Sequence, residues 1–167
     1  TFIHSGITGL IDIVYNKGTS TVLILDNSIT GMTGHQDNPL TGKTITGEPT
    51  KQVDLLKLCD AIGVERVRVV NPFQLEELES ALKEEVAADE PSVVIVQSPC
   101  ALLKYVKHPG PLKVNPDQCK SCKRCMAIAC PAISIGEDKK AVIDFTQCTG
   151  CGFCQKLCPF NAIGKES

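Results

Sequence analysis

Eight of the ten cysteines in this 167-residue chain fall between residues 119 and 158. They form two near-copies of one run, QCKSCKRCMAIACP and then QCTGCGFCQKLCP. Cys119, Cys122 and Cys125 stand 29 residues before Cys148, Cys151 and Cys154. Cys130 stands only 28 before Cys158, because the first copy carries one more residue ahead of its last cysteine. Proline follows both of these last cysteines. A segment so dense in thiols must fold around something that binds them.

Three cysteines spaced two apart let a tight turn aim three thiolates at three irons of one cubane, while the fourth reaches across to the other cubane. The pattern therefore assigns Cys119, Cys122, Cys125 and Cys158 to one [4Fe–4S] cluster, and Cys148, Cys151, Cys154 and Cys130 to a second. The longer gap before Cys130 leaves that ligand open. Structural zinc is the competing metal, but it uses paired C-x-x-C units and has no need of a third cysteine in each run. Disulfides require an oxidising compartment, and no signal peptide is visible. The prolines stop a helix from continuing through the last cysteine. Between the copies, ISIGEDKKAVID alternates about a polar turn and predicts a hairpin. Cys59 and Cys100 have no partners at metal spacing and read as ordinary buried thiols.

Residues 1–107 follow a different pattern. Thr21–Asn27, Arg66–Val70 and Ser92–Ser98 are β-branched runs, apolar on both faces, as in a buried parallel sheet. Helices are expected at about His4–Asn16 and about Thr50–Ile62, the second with Val53, Leu56 and Cys59 on one face and a stop at Gly63. A third is expected from Asn71, with Pro72 at its first position and a stripe of Leu75, Leu78, Leu82 and Val86. Alternating helices and strands predict a doubly wound α/β parallel sheet. Residues 108–116, rich in proline, read as a linker, and residues 117–167 as a small α+β domain holding two [4Fe–4S] clusters.

Charge changes at the same boundary. Residues 1–107 carry 9 Lys/Arg against 14 Asp/Glu, and residues 108–167 carry 8 against 5, leaving −2 for the chain. That balance gives no footing for nucleic acid. No apolar stretch is long enough to span a bilayer. A cytoplasmic protein is expected. Lys120, Lys123 and Arg124 lie inside the first cysteine run, where they either offset cluster charge or offer a docking face to an acidic external ferredoxin.

Ser28–Pro49 (SITGMTGHQDNPLTGKTITGEP) is a 22-residue stretch rich in Gly, Thr and Pro that leaves the end of a predicted strand. A loop that long inside a compact domain is usually functional or disordered, and it stands where parallel sheets bind ligands. An acidic and an amide residue ahead of a Gly/Thr loop suit a hydrated dication and a diphosphate. A structural turn capped by Asn27 is the alternative.

The stretch TFIHSGITGL…ILDNSITGMTGHQ, with the cysteine pair behind it, resembles the 2-oxoacid:ferredoxin oxidoreductases over essentially the whole chain. The likeness is to the end of the large subunit of the indolepyruvate-oxidising type. It implies that the first domain is the C-terminal part of a thiamine-diphosphate-binding domain and the second is ferredoxin-like. It also implies that Asn27 gives a side-chain oxygen to Mg²⁺ and Ile29 a backbone carbonyl, with Asp26 steadying the turn. Thr30, Gly31, Thr33 and Gly34 would line the diphosphate side. His35 and Gln36 would face the cofactor or a partner domain. In the family the first acidic Mg²⁺ ligand lies upstream of this loop, just ahead of Thr1, so a segment of a longer protein is expected. His4 either approaches the active site or is a surface residue.

The implied activity is oxidative decarboxylation of an aryl 2-oxoacid such as indolepyruvate to an acyl-coenzyme A. Electrons would leave through the two clusters to an external ferredoxin, with a smaller β subunit as partner. The alternative is an electron-transfer subunit without catalysis, whose α/β part only docks a partner.

Overall fold

The structure, a computed structural model, describes residues 2–165. The chain divides into two compact units, one running to Leu103 and the other beginning at Lys104.

In the first unit a π-helical turn, Phe2–Gly6, leads into helix α1, Ile7–Tyr15. Strand β1 (Thr21–Asp26) follows, then α2 (Leu55–Ile62), β2 (Arg66–Val70), α3 (Leu75–Val86) and β3 (Ser92–Gln97). The strands form one parallel sheet in the order β1-β3-β2, with Thr21 and Arg66 both in register with Ser92. Alternation along the buried central strand sends its side chains to opposite faces. Val93 and Ile95 join Leu10 of α1, Leu55 and Cys59 of α2, Ile24 and Val64 in one core. Val94 and Val96 join Val70 and Ala81 of α3 in another. The chain thus steps over β3 with α2 on one face and returns with α3 on the other. A single crossover handedness requires that change of face when the direction reverses.

Three helix expectations need correction. The second helix begins at Leu55, not near Thr50, because the backbone before it is tied into the preceding loop: Thr50 N–H donates to Gly42 O and Val53 N–H to Pro39 O. Asp54 then caps it, its carboxylate accepting from Leu56 and Lys57 N–H. The buried face is therefore Leu55 and Cys59, while Leu56 is about half exposed. Gly63 ends the helix in the left-handed conformation, φ +95°, where L side chains are strained. Asn71 does not cap the third helix. Its side chain takes Phe73 N–H in a local turn through Pro72, and Gln74 is the cap residue. Val86 is exposed and Glu85 faces inward instead. Arg66 Nε donates to Glu85 Oε2 at 2.8 Å and Arg68 Nε to Oε1 at 3.1 Å, so the buried carboxylate is paired twice.

The second unit holds two small antiparallel sheets. Strand β4 (Lys113–Val114) pairs with β7 (Ile163–Gly164), and β5 (Ile133–Ile135) with β6 (Ala141–Ile143). The β5–β6 hairpin is the one expected between the cysteine runs, closed by Gly136 N–H to Lys140 O at 2.9 Å. Helix α4, Phe153–Leu157, lies in the second run. Among the described residues no helix is long and apolar enough to cross a membrane.

Candidate functional site

The two cysteine runs share a backbone course. Ser121 and Lys123 in the first run have φ +54° and +58°, and Gly150 and Gly152 in the second have φ +71° and +80°. Each loop therefore turns through the left-handed region two and four residues after its first cysteine. That coiling points successive thiols inward, toward one centre. The runs diverge afterwards. Arg124–Ile128 is a tight 3₁₀ turn, whereas α4 occupies the matching place in the second run. The extra residue of the first run is taken up by Ala129 at φ +49°, just before Cys130.

The structure brings the thiols together across the runs. Cys119, Cys122, Cys125 and Cys158 line one small apolar cavity, partly open to solvent. Burial pushes the Cys125 thiol up, and the charges of Cys119, Cys122 and Cys158 raise it further. Burial likewise pushes Cys154 up to about 11, with Cys151, Cys148 and Cys130 adding to it. In each group the fourth member comes from the other run. Cys125 and Cys154 are buried in the hydrophobic core of the unit, among Leu112, Ile133, Ala141 and Ile163. Cys122 and Cys151, at matching positions, are exposed.

Backbone N–H groups point at these sulfurs. Leu112 N–H donates to Cys148 Sγ and Ala162 N–H to Cys158 Sγ, each at 3.4 Å. Such donors stabilise thiolates and tune cluster potentials. Thiols held among apolar side chains are costly to ionise alone, and several anions in one site repel each other. A cationic iron core answers both. Among the described residues no three His, Cys, Asp or Glu side chains converge tightly enough for a single metal ion. A cubane asks for a looser arrangement, because each thiolate goes to its own iron. The residues fit two such clusters.

The second candidate lies at the carboxyl end of β1. Asp26 Oδ1 accepts Ser28 N–H at 2.8 Å and holds Ser28 at φ +61°. Asn27 Oδ1 accepts Ile29 N–H at 3.3 Å, and this side chain is exposed. Ile29 is buried, yet its carbonyl accepts no hydrogen bond among the described residues. An unpartnered carbonyl, and an amide oxygen with one lone pair left beside the Ile29 N–H bond, are the donor types that Mg²⁺ prefers. The residues present fit that ion.

The long loop is ordered by pairing within itself. Thr30 and Gln36 exchange both backbone hydrogen bonds, at 3.0 and 3.2 Å, around Gly31, Thr33, Gly34 and His35. Gly34 sits at φ +113° and His35 at +60°. Asn38 Nδ2 donates to Thr30 Oγ1 at 3.1 Å, and a second bridge joins Lys43 to Pro49. Thr33, Gly34, His35 and Gln36 are all exposed. An open cleft beside β1 has walls that include Asp26, Leu40, Gln52, Asp54 and Gln97, and of the predicted cofactor-site residues only Asp26 reaches it. His4 is exposed on the first turn. Cys59 is fully buried, and burial pushes its thiol up; Cys100 is only half-buried.

Sequence reasoning missed the support of this turn from β3. Gln97 Nε2 donates to Asp26 Oδ2 at 2.8 Å, Ser98 N–H to Asp26 O at 3.0 Å, and Cys100 N–H to Asn27 O at 2.8 Å. The only sequence signal was place: these residues end the strand that the β-pattern pairs beside β1.

Residues 1–96 match the family described as thiamine pyrophosphate enzyme, C-terminal TPP binding domain, and residues 141–164 match the 4Fe-4S binding domain. Indolepyruvate oxidoreductase subunit IorA of Archaeoglobus fulgidus is 42% identical over 98% of this chain and 27% of its own length. The subunit of the same name from Pyrococcus abyssi is 38% identical over 99% of this chain and 26% of its own. A dihydromethanopterin reductase (acceptor) of Methanosarcina mazei shares 41% over 56 residues, covering 32% of this chain and 23% of that protein. The chain spans about a quarter of the length of the first two.

Proposed function

The chain belongs to the thiamine pyrophosphate enzymes through its first 96 residues, and from that premise we propose that it is part of a 2-oxoacid:ferredoxin oxidoreductase. The substrate class is an aryl 2-oxoacid of the indolepyruvate kind, oxidised and decarboxylated to an acyl-coenzyme A. The observation that carries this reading is a cation-suited turn and two crossed cysteine groups in one chain. A thiamine domain alone serves many reactions, and a ferredoxin module alone only carries electrons. Together they suit a decarboxylation whose electrons leave singly.

Thiamine diphosphate, when bound, supplies an electron sink for the carbanion left by decarboxylation. The chain's own residues have a narrower task. Asn27 Oδ1 and the Ile29 carbonyl are the oxygens that would hold Mg²⁺. Asp26 fixes the turn that presents them. Thr30, Gly31, Thr33 and Gly34 line the diphosphate side, and Cys119, Cys122, Cys125 and Cys158 form one cluster site. Cys148, Cys151, Cys154 and Cys130 form the other. The identity to the IorA subunits, across nearly all of this chain, supports the indolepyruvate preference and a smaller partner subunit.

The test uses the full-length protein, co-expressed with its partner subunit and purified without oxygen. About eight irons per chain and indolepyruvate-dependent, coenzyme A-dependent reduction of ferredoxin support the reading. A protein that accepts and donates electrons but decarboxylates no 2-oxoacid would sink it.

A further inference from the structure

The two cluster loops have nearly the same backbone but different rims. Both expose one cysteine at the matching position, Cys122 or Cys151, so each cluster has one edge toward solvent. Around Cys122 stand Lys120, Lys123 and Arg124, all exposed and without an ion pair among the described residues. Around Cys151 the matching positions are Thr149, Gly152 and Phe153, none charged and none fully exposed. Matched position by position, the repeat places a cation where its twin has Thr, Gly and Phe.

Resting on the proposed electron-carrying role, we propose that the rim of Lys120, Lys123 and Arg124 is the docking surface for an acidic one-electron carrier, and that electrons leave the protein through the cluster of Cys119, Cys122, Cys125 and Cys158. Fixed cations beside an exposed cluster edge steer an acidic partner and orient it with that edge foremost. The step is a single electron transfer. The reduced cluster loses one electron and returns to its oxidised state, the carrier gains that electron, and no bond or proton changes place.

The competing role for the three cations is charge balance alone. An oxidised cubane with four thiolates carries about −2, and nearby cations raise its potential by favouring the added electron. The two roles predict opposite signs. Reversing the cations lowers the cluster's potential and makes it a stronger reductant, so charge balance alone predicts equal or faster reduction of the carrier. Docking predicts slower reduction.

The experiment mixes chemically reduced full-length protein with an acidic plant-type [2Fe–2S] ferredoxin and follows its absorbance by stopped flow. Chemical reduction leaves thiamine chemistry out of the measurement. Lys120→Glu with Lys123→Glu is expected to cut the second-order rate constant at least about tenfold at low salt. It should also flatten the salt dependence, as wild type slows when the Debye length falls below about 10 Å. Reduction of a small uncharged quinone, which needs no charged docking face, should be equal or faster. Thr149→Glu, the control at the other rim, should leave ferredoxin reduction near wild type. A rate or salt response equal to wild type in the double variant overturns the proposal, as does equal slowing by Thr149→Glu. If the reversed pair disturbs cluster EPR, Lys120→Gln with Lys123→Gln carries the same test with a smaller expected loss. Absence of iron–sulfur EPR signals from the wild-type protein defeats the electron-carrying reading itself, which is a different failure.

Discussion

Gln97 donates its side-chain amide to Asp26 Oδ2 at 2.8 Å, while the other oxygen of the same carboxylate takes Ser28 N–H at 2.8 Å. One carboxylate thus joins the end of β3 to the turn that carries Asn27. Ser28 pays for its left-handed backbone (φ +61°) with that second bond. Asp26 needs both partners to be held still. On the proposed reading, a turn that presents two oxygens to one cation depends on neighbours that never touch the cation.

Gln97 is therefore a positioning residue. In the full-length protein, Gln97→Leu should weaken Mg²⁺-dependent binding of thiamine diphosphate by about tenfold, the scale of lost outer partners at metal sites. Gln97→Glu should do worse, since it sets two carboxylates against each other. The melting temperature should barely move, because Gln97 is exposed. Cofactor titration by fluorescence checks this, and equal affinity in all three proteins would refute it.

On the proposed reading, Asn27→Ala removes one of the oxygens offered to the cation. The expected loss exceeds that of Gln97→Leu, more than about tenfold in cofactor affinity, with unchanged cluster EPR. High Mg²⁺ should recover part of the binding, because the vacated position takes water. Wild-type affinity would return Ser28–Pro49 to a purely structural loop.

The strands were legible because β-branched runs leave few alternatives: β1, β2 and β3 lie within a residue of the expected runs. The cysteine groups were read from thiol spacing, and one cavity does bring Cys119, Cys122, Cys125 and Cys158 together. Helix starts were harder to read. Asn71 and Pro72 have the composition of a helix start, but the Asn71 side chain closes a local turn, and nothing in the run itself decides between the two. The α3 stripe went astray at one residue. A glutamate at 85 reads as solvent-facing until Arg66 and Arg68 are known to meet it from the sheet. Gln97 was invisible for the same reason, since its partner is 71 residues away.

Cys158→Ser separates crossed from uncrossed ligation. Cys158 lines the cavity of Cys119, Cys122 and Cys125, so its loss should damage that cluster although it lies in the second run. About four of about eight irons should remain, with the signal of the other cluster intact. Cys130→Ser should give the complementary loss. Mössbauer spectra of the two variants read this directly. Damage to the Cys148 cluster by Cys158→Ser would overturn the assignment.

Gly150 and Ser121 occupy the same place in the two cluster loops, yet they should respond oppositely to substitution. A Cβ on Gly150 would lie 1.9 Å from the Gly110 carbonyl oxygen, and its backbone is at φ +71°. The left-handed conformation alone costs an L residue roughly 1–2 kcal/mol, and a clash with backbone cannot be relieved by rotating a side chain. Gly150→Ala should therefore cost at least about 3 kcal/mol in this unit, counting strain and overpacking together. The cluster of Cys148, Cys151, Cys154 and Cys130 should be lost first. Ser121, at φ +54°, already carries a side chain in the left-handed region. Ser121→Gly removes that strain but frees the unfolded chain, so its effect should fall within about 1 kcal/mol of zero. Iron content and thermal melts of the two variants, measured under argon, decide it. A Gly150→Ala protein with full iron content and an unchanged melt would show that the loop can move away from Gly110, and the demand for glycine at that place would fall.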